Sequence, residues 1–395
     1  MAADTSRIQS THVGSLVRPD DLVAFLRQRD AKDPAYDEAA HLECLTRSVR
    51  DVVARQKEAG IDIVSDGEYG KTAWNYYVYE RLGGLDLRPD PPGEANFAAV
   101  DSNPTDWTRF PEFYAEYFSK DQEYEGPGGT FAAVGAVHYT GQEAIGRDIA
   151  NLKAAMDAAG VEEGFLPVVA PASAFPTLID EHYGSQEAAL MGIAEALGEE
   201  YKAIVDAGLY VQIDDAYIPF MYDVMVPPGT IDDYKRWARL QVDALNHALE
   251  GIPADRVRYH YCWGSWNGPH TNDVPLREVL DLMFSVNAKT FLFENANPRH
   301  EHEWRVWEEY GLPEGRVIAP GVISHATNVV EHPELVAERV ERVARLVGAE
   351  NVIASTDCGF AQGPYLRRTH PTIQWAKLES LSQGAKIASG ALAAA

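Results

Sequence analysis

The chain of 395 residues contains few cysteines, only Cys44, Cys262 and Cys358. A sparse, odd set of cysteines argues against a disulfide framework and indicates a reducing compartment. No run of about 18 apolar residues occurs, so we expect no transmembrane helix. The first residues lack the apolar core of a signal peptide. We therefore expect a soluble, cytoplasmic protein with no membrane partner.

Positive charge is also scarce, with 34 Lys and Arg against 60 Asp and Glu and a net charge of −26. Such a surface repels phosphate backbones, so nucleic acid is not expected as a partner. The hydrophobic fraction of 46% is enough for a large core, as one barrel with insertions or as two domains. The oligomeric state stays open, a homo-oligomer included.

What the chain does contain is a regular alternation of strand-like and helix-like segments. The predicted strands are 8–16, 61–68, 165–170, 209–215, 256–262, 290–294, 316–323 and 351–357. The predicted helices are 20–30, 35–60, 186–206, 230–250, 275–287, 300–310, 333–347 and 372–390. Such alternation indicates parallel pairing with right-handed crossovers. Eight units predict a single (β/α)8 TIM barrel over residues 1–395. A doubly wound open sheet is the alternative, but no Gly-x-Gly-x-x-Gly follows the first strand to support it.

A long segment, 69–160, interrupts the alternation between strands 2 and 3 and is rich in aromatic and acidic residues. Long excursions inside compact domains are usually functional or mobile. We predict a lid or pocket wall, with a short helix near 110–119 and an extra strand at 131–138. Trp74 and Tyr77 are expected to bind substrate, with ordinary packing as the alternative.

The ends of the predicted strands carry polar or metal-binding residues, at the edge where a barrel places its active site. Residues i and i+2 of a strand share a face, so His260 and Cys262 can converge on one point. Such a soft donor pair suits Zn²⁺. Glu294 and Cys358 end strands 6 and 8, so the four side chains can meet around one ion. The alternatives are buried thiols, a core histidine and a salt-bridged carboxylate, and Cys44 is expected to be such an inert thiol.

Zinc held by two thiolates is better suited to binding a substrate thiol than to splitting water. The thiol would then attack an alkyl group. Asp214 and Glu68 supply negative charge nearby, which would suit a substrate ammonium group.

Several motifs, taken in order, resemble the catalytic barrel of cobalamin-independent methionine synthase over essentially the whole chain. They are Thr11-His-Val-Gly-Ser15, Asp66-Gly-Glu68, Val211-Gln-Ile-Asp-Asp215, His260-Tyr-Cys262, Glu294 and Asp357-Cys-Gly359. The resemblance implies a zinc site formed by His260, Cys262, Glu294 and Cys358. It also implies that the amino-acid part of homocysteine is held by Gly14, Ser15, Glu68 and Asp214.

Some positions depart from the family's pattern. The full synthase has two barrels, and this chain has only the catalytic one. Where the family has a Trp-Ser that meets the folate, this chain has Pro171-Ala-Ser-Ala-Phe175, which puts methyltetrahydrofolate in doubt as the donor. The family's proton-donating histidine corresponds, shifted by one position, to His325. We predict His325 as the general acid, with a solvated loop histidine as the alternative.

The expected function is therefore zinc-dependent transfer of an alkyl group, methyl above all, to a small thiol such as homocysteine. One alternative resembles the epoxyalkane:coenzyme M transferases, which would need a cationic pocket for a sulfonate. Candidates for that pocket are Arg18, Lys71, Arg299 and Arg367. A zinc-holding protein without turnover and a metal-free decarboxylase on the same barrel are the remaining alternatives.

Overall fold

A computed structural model describes residues 7–89, 104–120, 129–174 and 178–394. The strands of these residues are β1 (Gln9–Ser10), β2 (Ile63–Ser65), β3 (Leu82–Pro89), β4 (Gly129–Tyr139), β5 (Glu163–Val169), β6 (Ile179–Asp180), β7 (Tyr210–Asp215), β8 (Val257–Tyr261), β9 (Thr290–Phe293), β10 (Val317–Ile323) and β11 (Ile353–Thr356). Phe175 and the Pro- and Gly-rich part of the insertion at 90–93 lie outside the described residues.

Eight of these strands form a parallel sheet in the order β1-β11-β10-β9-β8-β7-β5-β2. Its two outer strands meet, because Asp62 N donates to Ser10 O at 3.1 Å and Thr11 Oγ1 donates to Ile63 O at 3.1 Å. The sheet thus closes on itself, and the prediction of a single (β/α)8 barrel is confirmed. The strand pairing sets Asp214 directly beside His260.

Helices follow the barrel strands and form the outer layer. They are α1 (Asp20–Asp30), α2 (Glu38–Glu58), α3 (Thr105–Arg109), α4 (Pro111–Lys120), α5 (Gln142–Ala159), α6 (Pro171–Ala174), α7 (Gln186–Asp206), α8 (Tyr217–Met225), α9 (Ile231–Ala248), α10 (Leu276–Phe284), α11 (Val306–Tyr310), α12 (Pro333–Val347) and α13 (Pro371–Ala393). Short 3-10 helices lie at Tyr76–Glu80, Ala254–Arg256, Glu301–Arg305 and Ala349–Asn351.

Local sequence explains where these helices begin and which face they bury. Helix α9 starts with a capping box, in which Thr230 and Asp233 satisfy each other's backbone N–H groups. Helix α12 starts with Pro at its first position and buries an apolar stripe that includes Val336, Val340 and Val343. The predicted bounds of α7 and α12 match the structure.

The segment between β2 and β5 supplies two strands, β3 and β4, of a second, smaller sheet, and β6, which follows β5, supplies the third. In it, β4 pairs antiparallel with β3 and parallel with β6. The extra strand predicted at 131–138 is thus present as β4, and the helix predicted near 110–119 as α4. The prediction of irregular structure at 82–89 is wrong, because β3 occupies those residues. Helix α5 packs on α2 in the outer layer.

Among the helices of the described residues, none is both long and apolar enough to cross a membrane.

Candidate metal centre

Three of the four predicted metal ligands lie together at the carboxyl ends of the barrel strands. His260 is in β8, Cys262 follows β8 by one residue, and Cys358 follows β11 by two. Their ligand atoms all lie within 4.8 Å of one another, and all three residues are buried. The sulfur atoms of Cys262 and Cys358 are 3.4 Å apart, and both thiols are free. The hydrogen bond between the thiols, together with burial, raises the pKa of Cys262 well above its usual range.

Glu294, predicted as the fourth ligand, lies beside this cluster. Its Oε1 is 3.7 Å from Cys262 Sγ and accepts from Trp263 N at 3.1 Å. Its Oε2 accepts from Asn297 Nδ2 at 2.6 Å. Burial raises the pKa of this carboxyl to about 8. Glu294 is therefore next to Cys262 but is engaged by the protein's own donors.

The three clustered residues fit a zinc ion. His260 Nε2 is buried and has no hydrogen-bond partner among the described residues, although buried polar atoms normally have one. Two thiols and one imidazole nitrogen form the soft donor set that zinc prefers, and three protein ligands leave a position for substrate. A zinc ion would give the orphaned nitrogen its partner and remove the proton held between the two sulfurs.

Asp214 fixes the orientation of His260. Its Oδ1 lies 2.9 Å from His260 Nδ1 and also accepts from Gln212 Nε2 at 2.9 Å. A carboxylate behind a ligating histidine sets the tautomer and turns the other nitrogen toward the metal. The adjacent Asp215 points the other way, where it accepts from Ser173 Oγ and Tyr259 OH. Asp215 thus stabilises the packing of α8, and Asp214 orients the histidine of the cluster.

Glu68 sits in a strained turn close to Asp214. Its φ is +62°, a region that side chains other than Gly rarely adopt. Arg18 Nη2 secures the turn by donating to Glu68 O at 2.6 Å, and Glu68 N donates to Asp66 Oδ1 at 2.9 Å. Burial raises the pKa of Glu68 to about 7, and the nearby Asp214 carboxylate acts in the same direction.

Gly14 and Ser15 reach the cluster from the other side. Phe360 N donates to Ser15 O at 2.9 Å, and a Cβ on Gly359 would lie only 1.9 Å from Ser15 Oγ. The Ser15 hydroxyl therefore lies against the residue that follows Cys358. Gly14 has φ +132°, and a Cβ there would come within 2.7 Å of Pro167 Cγ. Only glycine fits this close approach.

His325, predicted as the general acid, is buried near His260. It follows β10 and hydrogen bonds with the Ser265 backbone, while its Nδ1 has no partner within the part of the chain that the structure describes. Burial, with the Arg368 guanidinium as the next cause, lowers its pKa to about 3. His325 is therefore a neutral imidazole at neutral pH, and not a solvated loop side chain.

The two predicted aromatic pocket residues lie further out. Tyr77 is 1% exposed, and its hydroxyl donates to Glu200 Oε1 at 3.1 Å. That hydroxyl therefore belongs to a buried network rather than to the site, and its ring lies under Lys71 with Nζ 4.4 Å from the centroid. Trp74 is partly buried against the core, and its backbone N–H donates to Gln362 O at 3.0 Å.

The insertion meets the site through contacts that the sequence does not predict. Tyr117 in α4 accepts at its hydroxyl from Asn267 N at 3.3 Å and from Arg368 Nη1 at 2.9 Å. Trp266 Nε1 lies 3.4 Å from Tyr114 OH. Helix α4 thus contacts the loops that follow Cys262 and Cys358. The cluster of aromatics signals such a contact, but nothing in the sequence distinguishes Arg368 from the predicted Arg367.

No protein-family model matches the chain. The chain is 24% identical to 2-hydroxypropyl-CoM lyase of Xanthobacter autotrophicus over 384 residues, which cover 89% of this chain and 87% of that protein. It is 22% identical to methionine synthase of Saccharolobus solfataricus over 385 residues, covering 96% and 94%. The structure of a B12-independent methionine synthase from Shewanella sp. W3-18-1, in complex with selenomethionine, matches with a TM-score of 0.73 and 21% identity, covering 98% and 100%.

The fold and the cluster place this protein among parallel barrels that have potential metal-ligating side chains at the carboxyl ends of their strands. The matches over nearly the whole chain then confirm the resemblance to the cobalamin-independent methionine synthase family.

Proposed function

We propose that this protein is a zinc-dependent S-alkyltransferase that transfers a methyl group to the thiol of homocysteine. The observation that carries the proposal is the cluster of His260, Cys262 and Cys358, with ligand atoms within 4.8 Å of one another. The carboxylates of Asp214 and Glu68 adjoin this cluster. The similarity to methionine synthase over 96% of the chain supports the same class of reaction.

Zinc would be held by His260, Cys262 and Cys358, with Glu294 as the ligand that yields to substrate. When bound there, the ion would coordinate the sulfur of the substrate and lower the pKa of its thiol, so that the thiolate forms at neutral pH. Asp214 keeps the His260 ring in place throughout. The buried surroundings of the cluster exclude water, which strengthens each electrostatic contact in it.

The pocket residues would hold the other end of homocysteine. Glu68 and Asp214 offer carboxylates to the ammonium group, and Gly14 and Ser15 form the wall beside Cys358. Fixing both ends of a short substrate positions its sulfur for in-line attack, which is a large part of catalysis for such transfers. Trp74 and Tyr77 would support this pocket from behind rather than contact the thiol.

In the reaction, an electron pair on sulfur forms a bond to the methyl carbon while the bond between that carbon and its carrier breaks. The carrier leaves with the electrons of the broken bond. A carrier that leaves as an anion needs a proton, and His325 is the residue that we assign to supply it. Because burial lowers the pKa of His325 to about 3, its neutral ring would relay the proton rather than store it. One ring nitrogen would release a proton to the carrier while the other takes up a replacement that comes from solvent.

Ser173 lies in the segment that corresponds to the folate-binding Trp-Ser of the family that this chain resembles, and its hydroxyl makes structural contacts here. Ser173 Oγ accepts from Ala216 N and Tyr217 N at 3.2 and 3.0 Å, so it fastens the start of α8. This use of Ser173 speaks against methyltetrahydrofolate as the donor. A corrinoid or a simple methylated compound is therefore the first donor to test.

A second candidate is alkylation of coenzyme M by an epoxide. It is favoured by the similarity to 2-hydroxypropyl-CoM lyase, which is 24% identical over 89% of the chain. The two candidates share the metal cluster and differ in the charge at the far end of the thiol. Homocysteine has an ammonium group there, and coenzyme M has a sulfonate.

The test is thiol consumption by zinc-loaded protein, with homocysteine or coenzyme M and a panel of methyl donors and epoxides. The proposal predicts that homocysteine is consumed with a methyl donor. Cys262→Ser should abolish this activity, whereas Cys44→Ser, which alters a cysteine outside the cluster, should keep it. Consumption of coenzyme M alone would favour the second candidate. Equal consumption by wild type and Cys262→Ser would overturn both.

A further inference from the structure

Lys71 is a buried cation next to the proposed ammonium pocket. Its side chain is 3% exposed, and its Nζ lies 3.5 Å from Glu68 Oε1. The same ammonium donates to Pro167 O and lies 4.4 Å from the centroid of the Tyr77 ring. These three contacts fix the Lys71 ammonium group beside the Glu68 carboxylate.

We infer that Lys71 determines substrate specificity by favouring the ionised form of Glu68, so that the pocket selects thiols whose far end carries an ammonium group. This inference rests on the proposed function and deepens it. Lys71 would be a positioning residue, because it acts on the substrate through Glu68.

The charges around Glu68 explain why a partner is needed. Asp214 from β7 and Asp66 from the end of β2 are anions near Glu68, while Lys71 and Arg18 are cations. Arg18 uses Nη2 on the backbone oxygens of Glu68 and Lys71, so it secures the turn. Lys71 is the cation that approaches the carboxylate itself. A carboxylate buried among other acids and lacking such a partner takes up a proton.

A protonated Glu68 would bind an ammonium group poorly, because a neutral carboxyl lacks the charge that makes such hydrogen bonds strong. When Glu68 is ionised, Glu68 and Asp214 together carry two negative charges against the one positive charge of Lys71. The negative charge left over is what a substrate ammonium group would neutralise. An anionic end on the substrate would instead meet two carboxylates at this point.

A direct role for Lys71 as the anion-binding group of the pocket makes the opposite prediction. In that case the substrate would present a carboxylate or sulfonate to Lys71. Loss of Lys71 would then weaken the binding of acidic ligands whether or not they carry an amine. The two roles are therefore distinguished by ligands that differ only in the amine.

The experiment is calorimetric binding of L-methionine, the product of the proposed reaction, and of 4-(methylthio)butanoate, which is the same molecule without its amine. Neither ligand needs its thiol activated, so binding is measured apart from turnover. Zinc-loaded wild type is compared with Lys71→Met, Lys71→Arg and Glu68→Gln. We expect wild type to prefer methionine by roughly tenfold to a hundredfold, the usual effect of a hydrogen bond between charged groups.

Lys71→Met and Glu68→Gln should lose that preference near neutral pH, while Lys71→Arg should keep it. Lys71→Met should regain part of it at about pH 8.5, because the carboxyl then ionises without help. Glu68→Gln should regain none. An undiminished preference in Lys71→Met, or a loss of binding by both ligands alike, would overturn the inference. Should Lys71→Met fail to fold, the same two outcomes are read from Lys71→Gln, which removes the charge but keeps an N–H donor for Pro167 O.

Failure of the inference differs from failure of the proposed function. In the first case, wild type still consumes homocysteine and binds methionine, but Lys71 and Glu68 do not set the preference. In the second case, wild type shows neither zinc-dependent homocysteine consumption nor methionine binding.

Discussion

Replacing Asp214 should weaken zinc binding without removing a ligand. Asp214 Oδ1 holds His260 Nδ1 at 2.9 Å, and no group in residues 7–89, 104–120, 129–174 and 178–394 hydrogen bonds to His260 Nε2. The carboxylate thus decides both the tautomer and the direction of the imidazole. Loss of such an outer partner typically costs 10- to 100-fold in metal affinity, which is about 1.4 to 2.8 kcal/mol.

The size of the loss should depend on what replaces the carboxylate. Gln212 Nε2 also donates to Asp214 Oδ1, so Asp214→Asn must turn its carbonyl oxygen toward both groups. That variant keeps the geometry and loses the charge, and we expect roughly a tenfold loss. Asp214→Leu loses both, and we expect a loss of roughly a hundredfold.

The assay is competition for zinc against a chromophoric chelator at fixed pH. Asp215→Asn is the matched control, since Asp215 neighbours Asp214 in the sequence but contacts Ser173 and Tyr259. It should lower stability and leave zinc affinity nearly unchanged. If both Asp214 variants bound zinc like wild type while Cys262→Ser did not, His260 would not be a ligand oriented by Asp214.

Two further predictions concern stability. Gly14→Ala should destabilise the fold by roughly 2–4 kcal/mol in urea unfolding, from a disfavoured φ and overpacking against Pro167. Gly146→Ala is its control, because a Cβ there meets no atom of the described residues within 4 Å. This substitution should stabilise α5 slightly, and equal changes in unfolding free energy for the two variants would contradict the prediction. Burial lowers the pKa of His12 from 6.5 to about 4. The contribution of the neutral His12 ring to the unfolding free energy is therefore fully present above pH 6.5 and is lost as the pH falls toward 4. The gap in unfolding free energy between wild type and His12→Asn should narrow by roughly 2 kcal/mol from pH 7 to pH 5, and a constant gap would refute this.

Sequence periodicity predicts much of the barrel because its signal is local. The stripe of Val336, Val340 and Val343 determines α12, and alternation in β8 sets His260 and Cys262 on one face. Strand β3 escaped prediction because Gly83 and Gly84 suggest a turn. The structure uses Gly84 for a close approach instead, since a Cβ there would lie 2.4 Å from Ala136 O, where the pairing register shifts.

The site was predictable only where strand order fixes neighbours. Barrel closure brings Cys358 to Cys262, although 96 residues separate them. The contact of Arg368 with Tyr117, 251 residues away, depends on how the insertion docks, and no local pattern encodes that. The burial of the Tyr77 hydroxyl against Glu200 is likewise a tertiary contact. The number of aromatic residues in the insertion does not show which of them line a pocket and which are buried in the core.

The most direct measurement is the near-ultraviolet absorption of the cobalt-substituted protein as homocysteine is added. In the proposed site, Cys262 and Cys358 would supply two thiolates to the ion, and a bound substrate would supply a third. The charge-transfer absorption should therefore grow by roughly one half at saturation, in proportion to the number of thiolates. An unchanged spectrum at saturating homocysteine, or the same rise in the Cys262→Ser/Cys358→Ser variant, would contradict thiol binding at this cluster.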